Sequence, residues 1–156
     1  MKRHQSFIPL SREHHDGFLL ATRLQQGNKA LLRLWSHDPH WQAYYVVKFL
    51  DEHLDLHFQV EEDIVFPMAE KFFKESIQAI QQLMNEHQEM KAMVEALRKP
   101  SKRNPEKTLG HLGQVLEKHI RTEEREFFPM CEETIPRGEL DRMGKLIKQR
   151  GERILK

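Results

Sequence analysis

The stretches HFQVEEDIVFPM (57–68) and HIRTEEREFFPM (119–130) spell one pattern, H-x-x-x-E-E-x-x-x-F-P-M, twice. In a helix, residues four apart lie on one face, one turn from each other. His57 and Glu61 therefore point the same way, as do His119 and Glu123. A packed helical core has no need of an imidazole one turn before a carboxylate, so the repeat argues for two equivalent helices that carry chemistry on one face. Glu62 and Glu124 sit about 100° further round and are expected to face outward.

The rest of the chain supports an all-α reading. Alternating β-branched runs are missing, and YYVV (44–47) is too short to outweigh the helical pattern around it. Four long segments carry helical spacing. The first starts at Ser11, a good N-cap, and runs through Phe18, Leu20, Ala21, Leu24, Leu31, Leu32 and Trp35 to about Ser36. The second runs from about His40 to Phe66, with Tyr44, Val47, Leu50, Leu54 and Phe58 as apolar positions, and Pro67 ends or kinks it. The third runs from about Glu75 to Arg98, with Ile77, Ile80, Leu83, Met84, Met90, Val94 and Leu97 apolar. The polar, proline-bracketed loop KPSKRNP (99–105) leads to the fourth, from near Pro105 to about Phe128. A shorter fifth helix, about 137–153, is polar on one face and is expected to pack on the outside. Short loops between long helices imply an antiparallel, up-down-up-down four-helix bundle with an additional C-terminal helix. At 156 residues the chain is read as one domain spanning 1–156, with the bundle over about 8–130.

Composition excludes several function classes. A formal net charge of +1 offers no electrostatic footprint for nucleic acid or for an anionic membrane. No apolar run approaches the length of a membrane span, and the start MKRHQSFIPLSREHH has no apolar stretch of secretory type. Cys131 is the single cysteine, so no internal disulfide and no cysteine-rich zinc site form. A cytoplasmic location is the expectation. Ten histidines are the unusual count.

The first and third helices supply partners for the repeat. EHHDGFLLATRL contains Glu13-His14, and NEHQEMKAMVEAL contains Glu86-His87. Aligning His14 with His87 matches Leu10 with Leu83, Leu20 with Met93, Ala21 with Val94 and Leu24 with Leu97. The chain thus reads as two helical hairpins of one design, each with a histidine on its first helix and H-x-x-x-E on its second. Facing each other, they bring His14, His57, His87, His119, Glu61 and Glu123 to one cavity. Imidazole with carboxylate suits iron, manganese or zinc. Two carboxylates among four imidazoles suit two ions better than one, because each carboxylate can bridge. Ferritin-like di-iron bundles use Glu-x-x-His instead, and the order and spacing here argue against them.

At these residues the chain resembles the hemerythrin family in its bacterial form, with the histidine-histidine-glutamate (HHE) cation-binding signature. HFQVEEDIVFP and HIRTEEREFFP match the family's H-x-x-x-E-E-x-x-x-F-P pattern, and SREHH and NEH match its first and third helices. The resemblance implies a non-haem di-iron centre with an oxo or hydroxo bridge. His14 and His57 would bind one iron, His87 and His119 the other, and Glu61 and Glu123 would bridge. Oxygen-carrying members place a second histidine four residues after the first on the third helix; here that position is Lys91. They also use an aspartate five residues after the fourth-helix histidine, where here Glu123 comes four after. Both departures move the site toward the symmetric four-histidine, two-glutamate centres linked to repair of iron–sulfur damage.

Other residues are read more plainly. His15 takes the role of His14 if the first helix is rotated, and His53, one turn before His57, is a further candidate ligand. His111 is read as surface, and His4, His37 and His40 as solvated. Glu13 and Glu86 are read as exposed charges in preference to hydrogen-bond partners of a neighbouring side chain, and the Phe-Pro pairs as structural, with Phe66 and Phe128 capping the core. The expected function is a metal-binding protein whose di-iron site binds or senses dioxygen, nitric oxide or iron itself. The competing reading is a di-iron redox enzyme acting on peroxide or nitric oxide. No catalytic constellation beyond the metal site is visible. The expected partner is a small molecule rather than nucleic acid or membrane, and a homodimer is compatible with the sequence.

Overall fold

Helix starts are set by proline and by short side-chain caps. The computed structural model describes residues 2–99 and 104–155, so most of the KPSKRNP loop lies outside the described residues. α1 spans Ile8–Gln26 with Pro9 in its first turn, where the missing N–H is harmless. It follows a short turn, Gln5–Phe7, in which His4 Nδ1 accepts the Ser6 N–H. The helix therefore begins before Ser11, and His4 is a cap rather than a solvated tail residue. α2 covers 39–72, opened by Pro39 with Asp38 accepting the His40 N–H. α3 is Ile77–Arg98, α4 covers 106–134, and α5 is Arg137–Leu155. No strand occurs among the described residues, and none of the described helices is long and apolar enough to cross a membrane.

Two expectations about helix ends change. α1 stops at Gln26, well before Ser36, because Gly27 adopts φ 53° and turns the chain. That left-handed conformation is open to glycine at little cost. Leu31 and Leu32 are consequently exposed, whereas Trp35 folds back into the core. Pro67 and Pro129 do not end their helices, which continue to Phe72 and Thr134. A wide π-helical turn precedes each proline, over Glu61–Val65 and Glu123–Phe127. In these turns the N–H of Phe66 reaches back to the Glu61 carbonyl, and that of Phe128 to the Glu123 carbonyl. The hydrogen-bond ladder has already widened where proline would break it. A third such turn, Leu50–Leu54, lies one turn before His57.

The five helices pack as a bundle. α1 lies along α4, α3 packs on both α2 and α4, and the turn before α1 packs on α5. Cross-helix pairs include Gln25 with Glu117 and Arg3 with Glu132 between the N-terminal segment and α4. Arg98 with Asp51 joins α3 to α2, and His111 with Glu89 joins α4 to α3. Burial divides into two apolar clusters. One holds Phe7, Leu10, Val60, Phe66, Leu83 and Phe128 together with Leu140, Met143 and Ile147 of α5. The other holds Leu20, Leu24, Trp35, Leu50, Met90, Val94 and Leu116. The apolar stripe of α5 is thus core, and only its other face is solvated. Tyr44, Ile77 and Met84, expected inside, are exposed.

α1 and α4 approach closely at Gly113 of α4. A Cβ built there would lie 2.9 Å from both the Ala21 carbonyl oxygen and Leu24 Cβ of α1. A Cβ at Gly110, one turn away, would meet nothing within 4 Å. Gly113→Ala should therefore destabilise by about 1–3 kcal/mol through overpacking. Gly110→Ala should stabilise by roughly 0.5–1 kcal/mol through helix propensity. Urea denaturation of both variants checks this; equal stabilities would refute the close approach.

Candidate metal centre

The six side chains drawn from the sequence meet between the two apolar clusters. His14, His57, His87, His119, Glu61 and Glu123 are each less than 5% exposed. Their donor atoms form two groups, His14, His57, Glu61 and Glu123, and Glu61, His87, His119 and Glu123. Within each group the atoms lie within 4.8 Å of one another, and the carboxylates belong to both. His15 and His53 point to solvent, so neither joins the cluster. His111 is also exposed and pairs with Glu89, and His37 donates to the Ala30 carbonyl. Aromatic rings hold the imidazoles in place: Phe58 stacks on His87 at 4.0 Å, Phe66 on His87 at 5.8 Å and Phe128 on His14 at 5.5 Å.

Each histidine is oriented by a carboxylate from a neighbouring helix. His14 Nδ1–H donates to Glu124 at 2.7 Å, and His57 Nδ1–H to Glu13 at 2.6 Å. His87 Nδ1–H donates to Glu62 at 3.3 Å, and His119 Nδ1–H to Glu86 at 2.8 Å. The arrangement is cyclic: α1 steadies α2, α2 steadies α3, α3 steadies α4, and α4 steadies α1. Two expectations are corrected here. Glu62 and Glu124 meet His87 and His14 rather than solvent, because a position about 100° round from the core-facing one lies at the seam with the neighbouring helix. Glu86 is only 3% exposed, and Glu13, though half-exposed, is tied to His57. The signal for these four was present in the sequence as the glutamate before His14 and His87 and the second glutamate of each repeat. Arg3 extends the chain of contacts by holding Glu124 at 3.0 Å.

With Nδ1 committed to a carboxylate, each histidine turns Nε2 to the cluster. His57 Nε2 lies 3.0 Å from His14 Nε2, and His87 Nε2 lies 3.1 Å from His119 Nε2. All four oxygens of Glu61 and Glu123 are buried without a well-aligned hydrogen bond. Their near neighbours are imidazole nitrogens, at 2.7 Å for His119 with Glu123 and 3.2 Å for His57 with Glu61. Converging lone pairs and unsatisfied buried carboxylates are costly unless positive charge lies among them. The donor set therefore fits a metal, and nitrogen with oxygen fits a first-row ion.

Proton affinities show how the cluster carries positive charge otherwise. Burial, aided by the Glu123 charge, holds Glu61 well above the usual carboxyl range. Burial alone would raise Glu123 too, but the facing His119 charge holds it well below. Burial would lower His119, yet Glu123 and Glu86 lift it to about 10. His87, desolvated and facing His119, falls to about 2. Burial opposes protonation of His14 as well, but its hydrogen bonds to Glu123 and Glu124 raise it.

The chain matches the family model of the hemerythrin HHE cation-binding domain over residues 8–131, and it belongs to that family. Metal binding is thus a property of its family as well as of its donor set, and α5 lies beyond the matched stretch. No curated protein and no solved structure matches the chain.

Two predictions concern these contacts. Glu13→Ala should lower metal affinity by about 10–100-fold, the usual effect of losing a carboxylate that orients a ligand histidine. Chelator competition measures it, with a thermal melt to confirm folding; unchanged affinity would show that the carboxylate does not orient the site. The second concerns protons. At pH 7 metal-free protein holds an extra proton on His119, which its carboxylate neighbours raise to about 10. Metal uptake should displace at least this one proton per chain. Affinity should therefore fall as pH is lowered below 7, since acid favours the proton-loaded form. Titration in buffers of different ionisation heat counts the protons, and zero release would contradict the assignment.

Proposed function

We propose that the protein is a non-haem di-iron protein that binds or senses a small ligand. The carrying observation is the pair of Nε2–Nε2 approaches on either side of the two unsatisfied carboxylates. In this reading the chain is a single domain whose four main helices alternate in direction, an antiparallel up-down-up-down bundle. The cross-helix pairs described above support that order. His14 and His57 hold one ion, His87 and His119 the other, and Glu61 and Glu123 serve both. Manganese or zinc would suit the same donors; iron is the metal the family resemblance favours. Two iron ions would supply a redox couple and a position for a ligand such as dioxygen, nitric oxide or peroxide.

The protein's own residues fix the rest. Phe58, Phe66 and Phe128 keep water from the imidazole faces, so charge at the centre acts in a low-dielectric surrounding. The four outer glutamates keep each Nε2 free for coordination. Lys91 stands one turn after His87, with its ammonium 4.0 Å from Asp55. It replaces a third nitrogen ligand on that side and leaves the two halves of the site with equal donor sets. That symmetry supports ligand access at either ion rather than at one.

Anaerobic loading with ferrous iron followed by metal analysis should give two ions per chain in the wild type. Glu123→Ala should lose more iron than His57→Ala, because it removes a donor from both halves. One ion or none per chain in the wild type, or full retention in Glu123→Ala, would overturn the shared-carboxylate reading.

A further inference from the structure

We propose that Arg3 is a positioning residue for the His14 half of the metal centre, acting through Glu124, and that the His87 half has no counterpart. The inference rests on the two-ion reading above and assigns a role to a residue outside the stretch that matches the family model. The Arg3 guanidinium donates to the Glu124 carboxylate at 3.0 Å, to the Glu124 carbonyl at 2.6 Å and to the Glu132 carboxylate at 2.7 Å. It also lies 5.6 Å over the ring of Phe128, which stacks on His14. One planar fork thus ties the side chain and the backbone of Glu124 to a second carboxylate two helical turns on. Glu124 in turn accepts from His14 Nδ1–H.

The internal repeat supplies the comparison. Glu62, Phe66 and Glu70 hold the places in the first repeat that Glu124, Phe128 and Glu132 hold in the second. The alignment that pairs His14 with His87 pairs Arg3 with Ser76. Ser76 is buried and its hydroxyl meets no hydrogen-bond partner among the described residues. Glu70 is exposed, and the ion pair of Glu62 is with His87. The contacts on the two histidines differ in the same sense. Glu124 lies 2.7 Å from His14 Nδ1, the length of a charge-assisted hydrogen bond, whereas Glu62 lies 3.3 Å from His87 Nδ1. The halves are therefore equal in their donors and unequal in what stands behind them.

Charge and geometry give Arg3 opposite effects on a metal ion. A guanidinium repels a cation, so by charge alone its removal would tighten binding. That charge is shared between two carboxylates, and the Arg3 side chain is 23% exposed, so solvent screens it further. Holding a carboxylate that orients a ligand histidine is worth about 10–100-fold in affinity, and Arg3, one contact further out, stands at the lower end. Positioning therefore outweighs repulsion, and the sign of the change separates the two.

The test loads crystals of the wild type, Arg3→Ser and Arg3→Lys with cobalt(II), which suits the same nitrogen and oxygen donors, over a series of concentrations. Anomalous peak heights give the occupancy beside His14 and His57 and that beside His87 and His119 separately. Both variants should lose about tenfold in affinity at the first position and none at the second. Lysine keeps the charge without the fork, so its failure to rescue assigns the effect to geometry. An unchanged ratio of the two occupancies, equal loss at both positions, tighter binding at the first, or full rescue by lysine would overturn the proposal. A single filled position in the wild type at excess cobalt would overturn the two-ion reading and this proposal together.

Discussion

The structure depends on burying four imidazoles and two carboxylates at the centre of a small bundle. Water would solvate these groups well, and two apolar clusters deny them that solvation. Burial of ionisable groups at this density is tolerated only when each has a partner of complementary charge. Four partners come from the protein itself, as the glutamates that accept from the Nδ1 positions. The inner carboxylates are left to be satisfied by what binds between them. Six carboxylates around four imidazoles make an anionic pocket, and a cation is what such a pocket selects.

The helices are shaped to permit this. A position about 100° from the core-facing one lies at the seam with the neighbouring helix, and there Glu62 and Glu124 meet His87 and His14. The π-turns at Glu61 and Glu123 absorb Pro67 and Pro129, so both helices run on past the residues that carry the site. π-turns of this kind recur at functional sites in helical proteins. The tight α1–α4 approach at Gly113 brings the helices that carry His14 and Glu124 close together.

Most of the inner site could be read from the sequence because it is local. A histidine and a glutamate four apart on one helix are a within-helix geometry, and the internal repeat doubled the signal. The outer glutamates were present in the same strings, but their partners are on other helices, and helical periodicity alone sent Glu62 and Glu124 to solvent. Helix existence was legible from apolar spacing, whereas helix ends were not. Gly27 stops α1 through a single backbone angle, and π-turns carry two helices past prolines that would ordinarily end them. The burial of α5 against the N-terminal turn was hidden for a similar reason. Leu140, Met143 and Ile147 are a short stripe whose partner, Phe7, lies at the other end of the chain.

The most direct test of the central claim is anomalous diffraction from iron-loaded crystals, recorded on either side of the iron edge. The account predicts two iron peaks per chain, one bounded by His14 and His57 and the other by His87 and His119, with Glu61 and Glu123 reaching both. A single peak, or iron bound only outside the six buried side chains, would contradict it.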